Sequence, residues 1–97
     1  MSRRPTRPKI LHRTVAITNR KGLHARAAAK FVACVERFEA EVTVIKQELS
    51  VSGRSIMGLM LLAAAPGSEI ELHIEGPEAR AALKAITALI AAKFEEE

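Results

Sequence analysis

The segment Glu69–Glu75 limits the fold more than any other part of the chain, because polar and apolar residues alternate along it without a break. Strict alternation is typical of a β-strand that buries one face and leaves the other in water. Its apolar face consists of Ile70, Leu72 and Ile74. Antiparallel sheets commonly keep one solvated face, whereas parallel sheets are covered on both sides. The segment therefore predicts an antiparallel sheet covered by helices on one side only.

Three further strands follow from short runs of apolar and β-branched residues between turn residues. They are predicted at residues 11–17, 41–46 and 49–51, and the last two form a hairpin. Together with the alternating segment they make four strands. No internal repeat interrupts this pattern.

Helical spacing of apolar residues predicts three helices between the strands. The first covers residues 25–37, a short second helix follows Ser55, and the third runs from Gly76-Pro77 to about Phe94. The acidic residues after it, 95–97, are expected to fray. The order βαββαβα predicts an α+β fold, an open-faced sandwich with three helices on one face of a four-stranded antiparallel sheet.

The 97 residues predict one domain. Residues 9–97 are expected to fold, and the Pro- and Arg-rich residues 1–8 are expected to form a disordered basic extension.

The distribution of charge argues against nucleic acid as a partner. Five of the 15 basic residues lie among the first thirteen positions, and after them ten basic residues face eleven acidic ones. The chain also has no Trp or Tyr on which bases could stack.

Cysteine and histidine usage predicts neither a disulfide nor a metal centre. Cys34 is the single cysteine and lies in an apolar helical run, which predicts a buried, inert thiol. No two of His12, His24 and His73 lie at ligand spacing on one element. No cofactor is expected. No apolar run resembles a signal peptide or a membrane span, so the sequence predicts a cytoplasmic protein without membrane insertion.

The segment 22–26, Gly-Leu-His-Ala-Arg, carries the clearest chemical signal. It places His24 at or next to the first turn of a helix, where backbone N–H groups lack helical partners and the dipole is positive. Such a site binds phosphate, and a histidine nitrogen there could attack phosphorus. Arg26 could supply a planar donor fork for the phosphoryl oxygens. The alternative is an ordinary surface histidine near a helix cap.

The segment 54–60, Arg-Ser-Ile-Met-Gly-Leu-Met, carries the second signal. Ser55 is a suitable N-cap for the short helix that follows. The helix is apolar nearly all round, so Ile56, Met57 or Met60 could form an exposed contact patch. The alternative is that the whole helix belongs to the core.

These two segments and the separation between them resemble the HPr family, the histidine-phosphorylated carriers of the phosphoenolpyruvate-dependent sugar phosphotransferase system. The resemblance covers roughly residues 11–94. It implies that His24 takes a phosphoryl group on Nδ1 from Enzyme I and passes it to an EIIA-type domain. Arg26 and the backbone N–H groups of Ala25 and Arg26 would stabilise that group. The chain would then be a phosphoryl carrier and not an enzyme in the ordinary sense.

The resemblance also implies regulation and a docking face. Ser55 would be the target of an HPr kinase/phosphorylase. Partners would dock on the first two helices, near Ala29, Ile56, Met57 and Met60. A shuttle that docks several partners in turn is expected to be a monomer.

Two departures and several alternatives remain. Ala27 stands where many family members have proline, and Lys21 stands where Asn or Ser is common. The nitrogen-related, NPr-like branch of the same system would give a regulatory output instead of transport. A protein-binding module without phosphate chemistry, and nucleic-acid binding through the basic extension, are alternatives of other classes.

Overall fold

Four antiparallel strands form a single sheet, in which the last strand of the chain lies between the first and the second. The computed structural model describes residues 10–96, so the predicted disordered extension lies outside the described residues. The sheet has the order β1-β4-β2-β3, with strands β1 (Leu11–Ala16), β2 (Glu41–Lys46), β3 (Leu49–Ser52) and β4 (Glu69–Glu75). The predicted α+β fold with an antiparallel sheet is confirmed.

Three helices cover one face of the sheet. They are α1 (Ala25–Val35), α2 (Ile56–Leu61) and α3 (Ala79–Ala91), and a short 3-10 turn follows at Lys93–Glu95. The core lies between these helices and the inward residues of the strands, and it includes Phe31, Leu59, Leu72 and Ile86, each fully buried. The alternation along β4 is borne out, because Ile70, Leu72 and Ile74 are all buried.

Three helix ends differ from the sequence expectation for local reasons. Helix α3 ends at Ala91 instead of near Phe94, because the backbone at residues 93–95 has positive φ angles. Helix α1 ends at Val35 instead of residue 37, because the N–H of Arg37 bonds to the Cys34 carbonyl and tightens the last turn. Helix α3 begins at Ala79 instead of Pro77. Glu78 precedes it in a non-helical conformation and accepts a 2.7 Å hydrogen bond from the N–H of Glu39.

The acidic C-terminal end was expected to fray, and for Glu95 and Glu96 this expectation is wrong. Phe94 is buried and inserts into the core. Its carbonyl accepts a 2.9 Å hydrogen bond from Lys30 Nζ, and Glu95 lies 3.6 Å from the same ammonium. These contacts hold the end of the chain against α1.

Cys34 is buried, as predicted. Burial raises the pKa of its thiol, and the nearby charge of Arg37 offsets part of that rise. None of the helices within residues 10–96 is long and apolar enough to cross a membrane.

The pairing of β1 with β4 brings two histidines together that sequence spacing keeps apart. His12 lies directly opposite His73, and their ring centroids are 4.2 Å apart. The sequence argument against a metal centre considered spacing within single elements only. It therefore missed this contact between neighbouring strands.

Candidate functional site

His24 is the N-cap residue of α1, as the sequence predicts. Its backbone is extended, and its carbonyl accepts the first helical hydrogen bond from the N–H of Ala28 at 2.8 Å. Its ring atom Nδ1 accepts a hydrogen bond from the N–H of Arg26 at 3.3 Å. The side chain is 29% exposed, so an incoming group can reach the ring.

The partners of the imidazole define which nitrogen carries a proton. Nδ1 accepts a hydrogen bond, so this nitrogen carries no proton of its own. Nε2 lies 3.4 Å from the Glu96 carboxylate, which can only accept. These contacts assign the neutral Nε2–H tautomer. The unprotonated Nδ1 therefore faces the N-terminus of α1, where a phosphoryl group would find backbone N–H donors and positive potential.

The loop before His24 packs against the segment that follows α2. Gly22 has a φ of 65°, and a Cβ at this position would collide with the carbonyl oxygen of Ala64. That same carbonyl accepts a 3.0 Å hydrogen bond from the N–H of Leu23. The loop is thus bound to the segment that follows α2.

Asn19 is a residue of this site that sequence reasoning missed. It is fully buried, and its Nδ2 donates to the Gly22 carbonyl at 2.9 Å and to Glu96 Oε2 at 3.1 Å. Its Oδ1 has no partner among the described residues. Asn is common in exposed turns, so its position in a polar loop carried no signal that it would be buried.

Glu96 is the second missed residue, and it closes the histidine loop from the C-terminal side. Its carboxylate accepts hydrogen bonds from the N–H groups of Arg20 at 2.6 Å and Lys21 at 3.2 Å. Desolvation by itself raises the pKa of this carboxyl. The hydrogen bonds from Asn19, Arg20 and Lys21, together with the nearby His24 ring, outweigh desolvation, so the pKa is lowered.

Cationic side chains surround the histidine. Lys21, Arg26 and Lys30 line with it a cleft of about 610 Å³ that extends to the C-terminal segment. Arg26 is exposed in the first turn of α1. The carboxylates of Glu95 and Glu96 also line the cleft. Three cations and a helix N-terminus outweigh these two charges, which makes the cleft suited to a small anion.

Ser55 is the N-cap residue of helix α2, as predicted. Ser55 Oγ accepts a 2.9 Å hydrogen bond from the N–H of Gly58. The alternative of a wholly buried helix is wrong, since only Leu59 among the helix residues is buried. Four large apolar residues are exposed, three of them named from the sequence and one missed: Ile56, Met57, Met60 and Leu61.

Helices α1 and α2 pack against each other, and this brings the two sequence motifs onto adjoining helices. Ala29 is exposed on α1. The residues predicted to form a docking face are therefore all accessible.

Fold and site together define a small α+β domain that presents one histidine at a helix N-terminus beside an apolar, serine-capped helix. A family model described as the PTS HPr component phosphorylation site matches residues 11–92. The chain belongs to the HPr phosphocarrier family of the phosphotransferase system.

Individual relatives support this assignment over nearly their whole length. Phosphocarrier protein HPr of Treponema pallidum is 47% identical over 85 residues, which are 88% of this chain and 97% of the relative. Phosphocarrier protein NPr of Shewanella violacea is 45% identical, over 89% of this chain and 94% of its own.

Solved structures agree with the fold. A crystal structure of HPr from Thermoanaerobacter tengcongensis superposes with a TM-score of 0.85 at 40% identity, covering 90% of this chain and 98% of that one. A crystal structure of an HPr dimer from the same organism has a TM-score of 0.72 at 40% identity, over 84% and 94% of the two chains.

Proposed function

We propose that this chain carries a phosphoryl group on Nδ1 of His24, between phosphorylated Enzyme I and an EIIA-type domain. The observation that supports the role is the unprotonated Nδ1 at the N-terminus of α1, fixed by the Arg26 N–H on one side and by Glu96 on the other. Membership of the HPr family supplies the partners' classes.

Each transfer is a substitution at phosphorus. In the first transfer the Nδ1 lone pair forms the new N–P bond, and the bond to the donor histidine breaks with its electron pair staying on the departing imidazole. The His24 ring gains positive charge because Nε2 keeps its proton. The Glu96 carboxylate, 3.4 Å away, stabilises that charge. The N–H groups of Ala25 and Arg26 and the Arg26 guanidinium bind the phosphoryl oxygens. In the second transfer a nucleophile of the acceptor forms a bond to phosphorus, and the Nδ1–P bond breaks with its electron pair returning to Nδ1.

The exposed apolar residues of α2 and Ala29 of α1 serve in this proposal as the docking face for both partners. Ser55, at the start of α2, serves as a regulatory phosphorylation site for a kinase of the HPr kinase/phosphorylase type. A phosphate there adds nearly two negative charges beside Ile56 and Met57. The added charge weakens docking and leaves the fold intact, because a helix N-terminus tolerates an anion.

A nitrogen-related, NPr-like role is the second candidate, and the similarity to the Shewanella violacea NPr supports it. The two roles share the chemistry of His24 and differ only in the acceptor. Transfer from the phosphorylated chain to a sugar-specific EIIA domain, compared with transfer to a nitrogen-related one, separates them. A cytoplasmic location and a monomeric state stay predictions from the sequence, and the mass in solution tests the latter.

The deciding experiment incubates the chain with phosphoenolpyruvate, Mg²⁺ and Enzyme I, and then measures the intact mass. We expect one added phosphate that is lost in acid, absent in His24→Ala and retained in the matched control His12→Gln. An acid-stable phosphate, or one that survives in His24→Ala, would contradict the proposal. No phosphate with the cognate Enzyme I would favour the protein-binding module instead.

A further inference from the structure

We propose that His12, Glu71 and His73 form a binding site for a divalent first-row transition-metal ion on the open face of the sheet. This site is separate from His24, and it does not depend on the phosphocarrier role. It contradicts the sequence expectation that the chain holds no metal.

The register of β1 and β4 brings the three side chains together. His12 lies directly opposite His73, and Glu71 lies two residues before His73 on the same face of β4. Glu71 Oε2 is 2.9 Å from His73 Nε2 and 3.9 Å from His12 Nδ1. One ligand atom from each residue lies within 4.8 Å of the other two.

These separations are close to those that a metal ion requires. Bonds of about 2.1 Å in a tetrahedral site place neighbouring ligand atoms about 3.4 Å apart. Small rotations of the exposed His12 side chain, which is 56% accessible, can therefore complete the site. The ion takes the place of the direct contact between His73 Nε2 and Glu71 Oε2, and three protein ligands leave one position for water.

The surrounding charge favours a cation. Glu41, Glu69 and Glu75 lie on the same face of the sheet as the cluster. Within the described strands no lysine or arginine points to this face, because Arg13 and Lys46 alternate with its residues and face the helix side. The face therefore carries a negative potential that raises the local concentration of cations.

The ligand types define the class of ion. Two imidazole nitrogens and one carboxylate suit Zn²⁺, Cu²⁺ or Ni²⁺, whereas Mg²⁺ and Ca²⁺ prefer oxygen ligands alone. The ligands come from two strands that are paired along their whole length, so little chain ordering is needed on binding. Binding would tie the edge strand β1 to its neighbour.

Calorimetric titration of the full, untagged chain with ZnCl₂ tests the proposal. We expect saturable binding of one Zn²⁺ per chain and none of Mg²⁺. His12→Ala and His73→Ala should each weaken binding at least about tenfold, since loss of even an outer partner of a ligand costs that much. His24→Ala is the matched control, because it removes the remaining histidine and should leave Zn²⁺ affinity unchanged.

A second readout distinguishes loss of a ligand from loss of the fold. Imidazole NMR signals of His12 and His73, but not of His24, should shift on adding Zn²⁺. His12→Gln should weaken Zn²⁺ binding as much as His12→Ala does and keep the amide spectrum of a folded chain. The proposal is overturned by non-saturable binding, by an equal loss in His24→Ala, or by one ion shared between two chains with a doubled mass. None of these results bears on phosphorylation of His24.

Discussion

Gly22 shows how a single residue shapes the histidine loop. Its φ of 65° belongs to the left-handed region, and the space where a Cβ would lie is taken by the Ala64 carbonyl oxygen. The neighbouring N–H of Leu23 needs that same carbonyl as its acceptor. Glycine is therefore required here for both its conformation and its size.

We expect Gly22→Ala to lower the free energy of unfolding by about 1–3 kcal/mol. The strain of a left-handed backbone and the collision of the new Cβ with the Ala64 carbonyl oxygen both destabilise the folded state. For a chain of this size, each 1 kcal/mol lowers the melting temperature by about 4–8 °C. Thermal unfolding measures the effect.

The matched control is Gly67→Ala, because Gly67 also has a positive φ but has open space around its Cβ position. Gly67→Ala should lower the free energy of unfolding by less than Gly22→Ala does. Equal losses would show that the contact with Ala64 adds nothing.

At the scale of the element, α2 is a short helix whose Ser55 cap lies against an exposed apolar surface. Only six residues are helical, and one of them is buried. The cap and the packing against α1 and β3 therefore stabilise this helix more than its own length does. A charge at the cap changes the exposed apolar surface proposed for docking without removing a core contact.

We expect Ser55→Asp to weaken binding of Enzyme I about tenfold, equivalent to ~1.4 kcal/mol. The matched control is Ser55→Asn, because both replacements can cap the helix and only Asp adds charge. Binding isotherms of the two variants isolate the effect of charge. The same affinity for both would rule out electrostatic control of docking.

At the scale of the whole molecule, the C-terminal segment contacts the histidine loop, although the two segments lie far apart in the sequence. Glu96 receives hydrogen bonds from Asn19, Arg20 and Lys21, and it contacts Nε2 of His24. The pKa of Glu96 is lowered, so its ionised form stabilises the folded chain at pH values above the ordinary carboxyl value of 4.5. That stabilisation is lost as the pH falls through the lower pKa of the folded state.

We expect the amide NMR signals of Arg20 and Lys21 to titrate together with a midpoint below pH 4.5. In Glu96→Gln this titration should disappear, because the amide side chain has no charge to lose. Glu95→Gln is the matched control, since Glu95 is 72% exposed and pairs with Lys30 instead. A midpoint at or above pH 4.5 would contradict the hydrogen bonds from Arg20 and Lys21 to the Glu96 carboxylate.

The sequence alone determined the strands, the helices and the two motifs. Local periodicity records which side of each element is apolar, and capping residues mark where the helices begin. It determined that His24 and Ser55 begin helices, since both positions depend on neighbouring residues. Only the tertiary structure decided that Asn19 is buried, that Glu96 fixes the His24 ring, and that His12 meets His73. These three contacts join distant segments, and their geometry depends on strand register and on the path of the C-terminal turn, which local patterns do not encode.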